Sequence, residues 1–263
     1  MKIKRDLFIF TLFSKYAVKS VLLHPSGAVL FTLGKIIRFV VLFLFVFFLV
    51  SRTSTLKGYS VNQAIIFYLT FNIIDTASQL LFREVYRFRQ LVVSGDLDGV
   101  LVKPYHPFLR VLVWGIDPLD AVMIIFYTLL TLIFIGKSAN SITFFSFLSY
   151  ILLTVNALVI ATAFHITVLA FGILTSNIDH GVMIYRDLTS IGRFPIEIYQ
   201  EPFRWIVTFV IPVGIMMSFP TQSLFGILSP LLIGVSVIIA VIALLGSLYL
   251  WNTALKKYQS WGG

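Results

Sequence analysis

The sequence lacks cysteine altogether and carries little charge for its length. With no cysteine among 263 residues, disulfides, thiolate metal sites and cysteine nucleophiles are excluded. Only 12% of the residues are charged and 59% are hydrophobic, whereas a soluble domain has about 25% charged and about 45–50% apolar residues. This composition excludes a soluble globular protein and predicts an integral membrane protein.

Several nucleotide-binding and catalytic motifs are also missing. The nearest approach to G-x-x-x-x-G-K-[ST] is Gly34-Lys35, which lacks a glycine at Val29 and is followed by Ile36. We therefore expect that this chain binds no ATP in a P-loop of its own. G-x-S-x-G and H-E-x-x-H are absent, so we predict no catalytic residue and no enzyme activity. The four histidines are too far apart for a metal site: His24, His106, His165 and His180.

Long apolar runs predict membrane spans, because a helix needs about 20 apolar residues to cross a hydrocarbon core of about 30 Å. The runs lie at 36–50 (extended to about 55), 61–81, 119–135, 142–174 and 229–251. Between the last two, hydropathy favours 205–219 as a further span. In the alternative, the polar stretch near 176–194 crosses and 205–219 is a re-entrant helix pair. We expect an all-α integral membrane protein with six transmembrane helices in one domain, residues 1–263.

Lysine and arginine are concentrated on one side of these spans. Segments 1–27, 82–118 and 252–263 hold twelve of them, whereas the first two loops on the other side hold three. By the positive-inside rule, both termini are cytoplasmic and the number of spans is even. Segment 1–27 has its basic residues on one helix side, which favours an interfacial helix contacting lipid over a signal peptide. Lys35 and Arg38 are predicted to anchor the first span at the same surface. No nucleic-acid partner is then needed to explain the net charge of +9.

The insertion after the second span, residues 82–118, carries the strongest functional signal. The second span is predicted to continue as an amphipathic helix, broken by Ser94-Gly95-Asp96. Asp96 caps a shorter helix that ends at Lys103-Pro104 and exposes Leu97 and Leu101 to the cytoplasm. Such a helix suits docking into a partner's groove, but an ordinary loop covering the bundle fits equally. The two faces of the first helix are formed by Val85, Phe88, Leu91 and Val92 and by Arg83, Arg87 and Gln90.

The run Gly95-Asp96-Leu97-Asp98-x-x-Leu101-x-x-Pro104 resembles the G-T-L-E-x-L-L-x-x-P pattern of the type-two permeases of ATP-binding-cassette (ABC) exporters. Further runs resemble one branch of that family, bacterial permeases of about 260 residues that often occur as two different permeases beside one ATPase. These runs are Phe82-Arg83-Glu84, Val102-Lys103-Pro104, Pro107-Phe108-Leu109-Arg110, Arg193-Phe194-Pro195-Ile196 and Thr208-Phe209-Val210-Ile211-Pro212.

The resemblance implies a permease subunit in the bacterial plasma (inner) membrane, working by alternating access. Its partners would be two copies of an ABC ATPase subunit, which hold the ATP and Mg²⁺, and a second permease, identical or homologous. The insertion would be the coupling helix on the ATPase, through Gly95, Asp96, Leu97, Asp98, Leu101 and Pro104. Charge pairing with the ATPase would involve Arg83, Glu84, Arg87 and Arg89, with positive-inside anchoring as the alternative for the arginines. The resemblance also favours the re-entrant alternative for 203–226. An ATP-independent secondary transporter or channel is the rival function.

Polar residues inside the spans are candidates for a substrate path, because an ionisable group without a partner is costly there. Asn72, Asp75 and Gln79 lie on one face of the second span, with Thr76 beside them. Asp75 is also close enough to the inner end to reach the interface. On the fourth span the candidates are Thr162 and His165, although a lone membrane histidine is more often a packing residue. Structural pairing across helices is expected first for Asp179, His180, Arg186 and Asp187.

Overall fold

The computed structural model describes residues 2–53, 58–138, 142–175 and 178–259. The described residues form helices joined by turns. Their α-helices are α1 (Lys2–Leu23), α2 (Pro25–Thr53), α3 (Val61–Phe82), α4 (Phe88–Val93), α5 (Asp96–Leu101), α6 (Pro118–Lys137), α7 (Phe144–Thr175), α8 (Ile178–Ile191), α9 (Phe203–Trp205), α10 (Val213–Met217), α11 (Phe219–Leu224) and α12 (Pro230–Lys257). Short 3₁₀ turns lie at Arg83–Arg87 and Ile196–Ile198, and π-turns at Leu109–Val113 and Ile206–Val210.

Within the described residues, 5 helices are long and apolar enough to cross a membrane. They are Pro25–Arg52, Val61–Val93, Pro118–Lys137, Phe144–Thr175 and Pro230–Lys257. The predicted all-α membrane fold is confirmed, and five of the predicted spans coincide with these helices. The expected single span at 205–219 is not one helix, because the chain there divides into α9, a π-turn and α10, with Pro212 before α10.

Helix starts follow the capping residues of the sequence. Ser60 and Gln63 form a reciprocal capping box at α3, in which the Ser60 amide donates to Gln63 Oε1 at 2.9 Å. The Asp117 carboxylate accepts from the Leu119 amide at 2.9 Å, with Pro118 as the first residue of α6. Only His24 separates α1 from α2, since a proline is tolerated in the first turn of a helix. The first membrane helix therefore begins at Pro25, well before the predicted residue 36.

Helix α7 is the centre of the bundle and packs against α12, α11, α8 and α3, while α6 and α2 pack on the other side of α3. The Asn156 side chain on α7 donates to the Ser236 carbonyl of α12 at 3.2 Å. Helix α8 runs antiparallel to α7. Two contacts show this: the Tyr185 ring centroid lies 4.3 Å from the His165 ring centroid, and Gly181 lies against Val168. The main hydrophobic core unites these helices with the insertion after α3.

Helix α1 packs against the turn that ends the insertion. The Phe13 ring stacks on the Trp114 ring at 4.0 Å between centroids, and the Ile116 amide donates to Ser14 Oγ at 3.1 Å. Gly115 has φ +146° and touches the α1 backbone, where an added Cβ would lie 2.7 Å from the Ser14 nitrogen. Only glycine fits this contact. The N-terminal helix is thus fixed to the insertion by three successive residues.

Candidate functional site

The insertion leaves α3 through a 3₁₀ turn and two short helices. Gly95 has φ +76°, a left-handed conformation that glycine adopts without strain, and it turns the chain between α4 and α5. The expectation that Asp96 caps α5 is wrong by one residue, because Gly95 occupies the N-cap position and Asp96 is the first helical residue. There the carboxylate accepts from Ser94 Oγ at 2.7 Å and lies where the helix dipole favours a negative charge.

The side of α5 that faces outward differs from the predicted one. Leu97 is 0% exposed and belongs to the main core, so its predicted exposure is wrong. Val100, one turn on, is also buried, and Leu101 is half-buried. The reason is that α5 packs back on α4, which turns its apolar side toward the bundle. The exposed side, which we name the insertion face, consists of Val93, Ser94, Asp96, Gly99, Val102, Lys103 and Pro104.

Ion pairs fix the insertion to the bundle. Glu84 is buried, and its two carboxylate oxygens accept from Arg110 Nη1 at 2.6 Å and from Arg87 Nη1 at 3.0 Å. Arg83 pairs with Asp117, at the far end of the insertion. Arg87 and Arg89 are exposed. Of the predicted charged residues, Arg83, Glu84 and Arg87 thus pair within the chain.

Lys35 does not act as the predicted surface anchor. Its ammonium pairs with Asp120, which is 1% exposed at the start of α6. The guanidinium of Arg83 lies 4.0 Å from the same carboxylate. A buried carboxylate without a cation would be costly, which explains why a lysine is tolerated inside α2.

A second site lies between α2, α3 and α8. A cavity of about 340 Å³ is lined by charged and polar residues of these helices, which we name the arginine cavity. Its charged and amide-bearing lining residues are Arg38, Asp75, Gln79, Arg186, Asp187 and Arg193. The Gln79 amide donates to Asp75 Oδ2 at 2.9 Å, as their spacing on one helix face predicts. Asn72 and Thr76 line a smaller adjoining cavity together with Asp75 and Gln79.

The candidates on α7 lie elsewhere. His165 is buried, its Nδ1 is 2.7 Å from the Ala161 carbonyl, and its ring packs between Phe82 and Tyr185. Thr162 Oγ1 donates to the Leu158 carbonyl at 2.7 Å. Tyr185 also lines the arginine cavity, so His165 supports a wall of the cavity. The side chains of Asp179 and His180 lie outside the described part of the structure.

Sequence reasoning missed Arg193 as a cavity residue and assigned Arg38 and Arg186 to other roles. Arg186 and Arg193 are seven residues apart, a spacing that places two residues on one side of a helix. That signal is weakened because α8 ends at Ile191. Arg38 could be placed only once the packing of α2 on α3 was known.

Residues 36–262 match a protein-family model described as ABC-2 family transporter protein. The match includes α3 to α12, the insertion and every residue of the arginine cavity. No curated protein and no solved structure matches the chain.

Proposed function

Because the chain belongs to the ABC-2 family of transporter proteins, we propose that it is the permease subunit of an ABC exporter. ATP and Mg²⁺ belong to two copies of a separate ATPase subunit, and this chain supplies the membrane path and the contact that couples it to hydrolysis. The observation that carries the proposal is the family match over residues 36–262. It is supported by an insertion that is firmly packed on one side and exposed on the other.

The insertion face is the proposed contact with the ATPase. Asp96, Gly99 and Val102 lie on its exposed side, and Val102 is 83% exposed. Leu97 and Val100 lie on the opposite side of α5, in the core shared with α3 and α7. A displacement of the face would therefore be transmitted to the membrane helices through close-packed side chains. In this proposal, Gly95 and Leu97 position the face, while Asp98, Leu101 and Pro104 complete the element.

The proposed topology has six crossings with both ends in the cytoplasm of a bacterial inner membrane. Helix α8 and the chain up to Pro195 form the fifth crossing. Residues 203–226 then form a re-entrant hairpin, since Gln222 near its end pairs with Glu197 before its start. Ser223 Oγ lies 2.6 Å from Ser149 Oγ, so the end of the hairpin lies at the level of the start of α7. Helix α1 lies at the cytoplasmic lipid surface beside the insertion.

The arginine cavity is the proposed part of the substrate path in this subunit. Asn72, Asp75 and Gln79 line it or the adjoining cavity, and the His165 ring packs behind its Tyr185 wall. A second permease, identical or homologous, would complete the path. Alternating access then requires two packings of the bundle whose relative stability depends on the nucleotide state of the ATPase.

Gly99 offers a sharp test of the contact. A Cβ added there meets nothing within 4 Å, so Gly99→Arg fits the folded chain and obstructs only what docks on the insertion face. Gly27→Arg is the matched control, because Gly27 is also helical and open but lies at the start of α2. Both changes remove a helical glycine and should not destabilise the helices.

The tagged chain is purified from its own membranes and its companions are identified by mass spectrometry. We expect a P-loop ATPase with the wild type and with Gly27→Arg, and its loss with Gly99→Arg. An ATPase that stays bound to Gly99→Arg would refute the assigned contact. A wild-type chain that brings no ATPase in several detergents would refute the exporter assignment and favour an ATP-independent transporter.

A further inference from the structure

The arginine cavity holds more positive than negative charge. Its lining brings together three guanidinium groups, of Arg38, Arg186 and Arg193, and two carboxylates, of Asp75 and Asp187. The other cation nearby, Lys35, is already paired with Asp120. Among the described lining residues, one positive charge is therefore left without a compensating carboxylate. The cavity adjoins membrane helices, where uncompensated charge is costly and marks functional sites.

Arg193 carries the clearest sign of a missing partner. Its Nε is buried and has no hydrogen-bond partner among the described residues. Arg38 and Arg186 are close enough to repel its charge, and Asp75 is close enough to attract it. A buried donor left unpaired destabilises the protein, so an acceptor from a ligand would be bound favourably there. The acceptor that three guanidinium groups recognise best is a phosphate or a carboxylate.

Apolar side chains adjoin this charged site. Met183, which lines the cavity, is 64% exposed. A neighbouring groove of about 580 Å³ shares Arg38 and Arg186 with the cavity and is also lined by Leu30 and Phe31 of α2. Leu30 is 71% exposed, on a helix that is apolar enough to face lipid. A ligand bound here meets cations at one end and apolar side chains beside them.

We propose that the arginine cavity binds the phosphate group of an anionic amphiphile, and that such amphiphiles are the substrate class of this permease. That the amphiphile is transported rests on the proposed function, whereas the binding site rests on the geometry of Arg38, Arg186 and Arg193. Gln79 and Asp75 border the site and bind each other. They limit its charge and orient the neutral part of a headgroup.

The test measures lipid binding by the purified full-length chain. Phosphatidylglycerol and phosphatidylcholine with the same acyl chains are added to the protein in detergent, and retained lipid is quantified by native mass spectrometry. The variants are Arg193→Gln and Arg38→Gln, the second because Arg38 is exposed and its replacement leaves no buried gap. Arg204→Gln is the control, since it removes the same charge from an exposed arginine paired with Glu201 outside the cavity.

We expect the wild type to prefer phosphatidylglycerol. Arg193→Gln and Arg38→Gln should each weaken its binding about tenfold, equivalent to about 1.4 kcal/mol, whereas Arg204→Gln should leave it unchanged. Equal weakening by all three variants would show attraction to the net charge alone and overturn the site. Protection of the chain from heat by millimolar inorganic phosphate, to the same extent as by the lipid, would overturn the amphiphile and assign a soluble anion.

The two proposals fail in different ways. Lipid binding that depends on Arg193 in a chain that recruits no ATPase would refute the exporter and leave the anion site standing. Recruitment of an ATPase by a chain whose lipid binding ignores Arg193 and Arg38 would leave the permease assignment standing and refute the anion site.

Discussion

The carboxylate of Glu84 is expected to hold the insertion in place, and replacing it with glutamine tests this directly. The Glu84 side chain is 5% exposed, and each of its oxygens accepts from a different arginine. Arg110 is the stronger partner, because its side chain is only 22% exposed and its guanidinium also lies over the Trp114 ring at 4.0 Å. The Arg87 side chain is 64% exposed, so water screens that pair.

The magnitudes follow from these exposures. Removing one partner of a buried ion pair costs about 3–5 kcal/mol, and the partial exposure of Arg110 places Glu84→Gln near the lower limit. Removing an exposed partner, as in Arg87→Gln, costs about 0.2–1 kcal/mol. In a chain of this size 1 kcal/mol shifts the melting temperature by about 2–4 °C. We therefore expect Glu84→Gln to lower it by about 6–12 °C and Arg87→Gln by at most about 4 °C.

Thermal unfolding in mild detergent, followed by tryptophan fluorescence, measures both variants. Trp114 lies beside Arg110 and stacks on Phe13, so its emission reports on this region. The double variant Glu84→Gln, Arg110→Gln should be less destabilised than the sum of the two single variants, because each single change leaves a buried group unpaired. Equal melting temperatures for Glu84→Gln and Arg87→Gln would refute the buried role of Glu84.

Two further predictions concern other parts of the fold. Leu97→Ala should lower the free energy of unfolding by about 2–5 kcal/mol, since Leu97 is fully buried. Urea-dependent unfolding in detergent measures this, and the half-buried control Leu101→Ala should show a clearly smaller loss. Burial raises the pKa of the Glu197 carboxyl above its usual range. The folded chain therefore keeps its full stability with respect to this group below about pH 4.3, the value in an unfolded chain. It loses stability as the pH rises through the raised pKa, because the buried carboxyl must then ionise. Glu197→Gln should therefore raise the melting temperature at pH 8 and change it little at pH 4, and a similar gain from Glu201→Gln, at an exposed site, would contradict this.

The membrane helices could be predicted because lipid imposes one simple rule on them. A hydrocarbon core of about 30 Å demands about 20 apolar residues, and α3, α6, α7 and α12 are close to the predicted spans. The start of α2 could not be found in this way. His24 and Pro25 looked like a break between segments, whereas Pro25 simply begins the next helix.

The candidate sites were less predictable, because burial and pairing depend on long-range packing. The positions of the two short helices of the insertion follow from Gly95, but whether Leu97 faces out or in depends on how α5 packs on α4. Asp75 and Gln79 could be placed together from their spacing along one helix. Arg38 is distant in sequence from Arg186 and Arg193, and only the packing of α2 on α3 and of α8 on α7 brings all three to the same cavity.

The ion pair between Arg83 and Asp117 bears on how this chain could change during evolution. The chain leaves the bundle at Arg83 and returns at Asp117, so the pair closes the base of the insertion. Because the base is closed and loop-closure entropy grows slowly with length, changes on the exposed insertion face cost the helices beneath it little. Changes at the buried Leu97 or Val100 would instead disturb the core that α5 shares with the bundle. On the function proposed above, the insertion face can diverge with the ATPase that it contacts while the buried side of α5 stays matched to the membrane helices. The face is therefore the natural unit to exchange between members of this family.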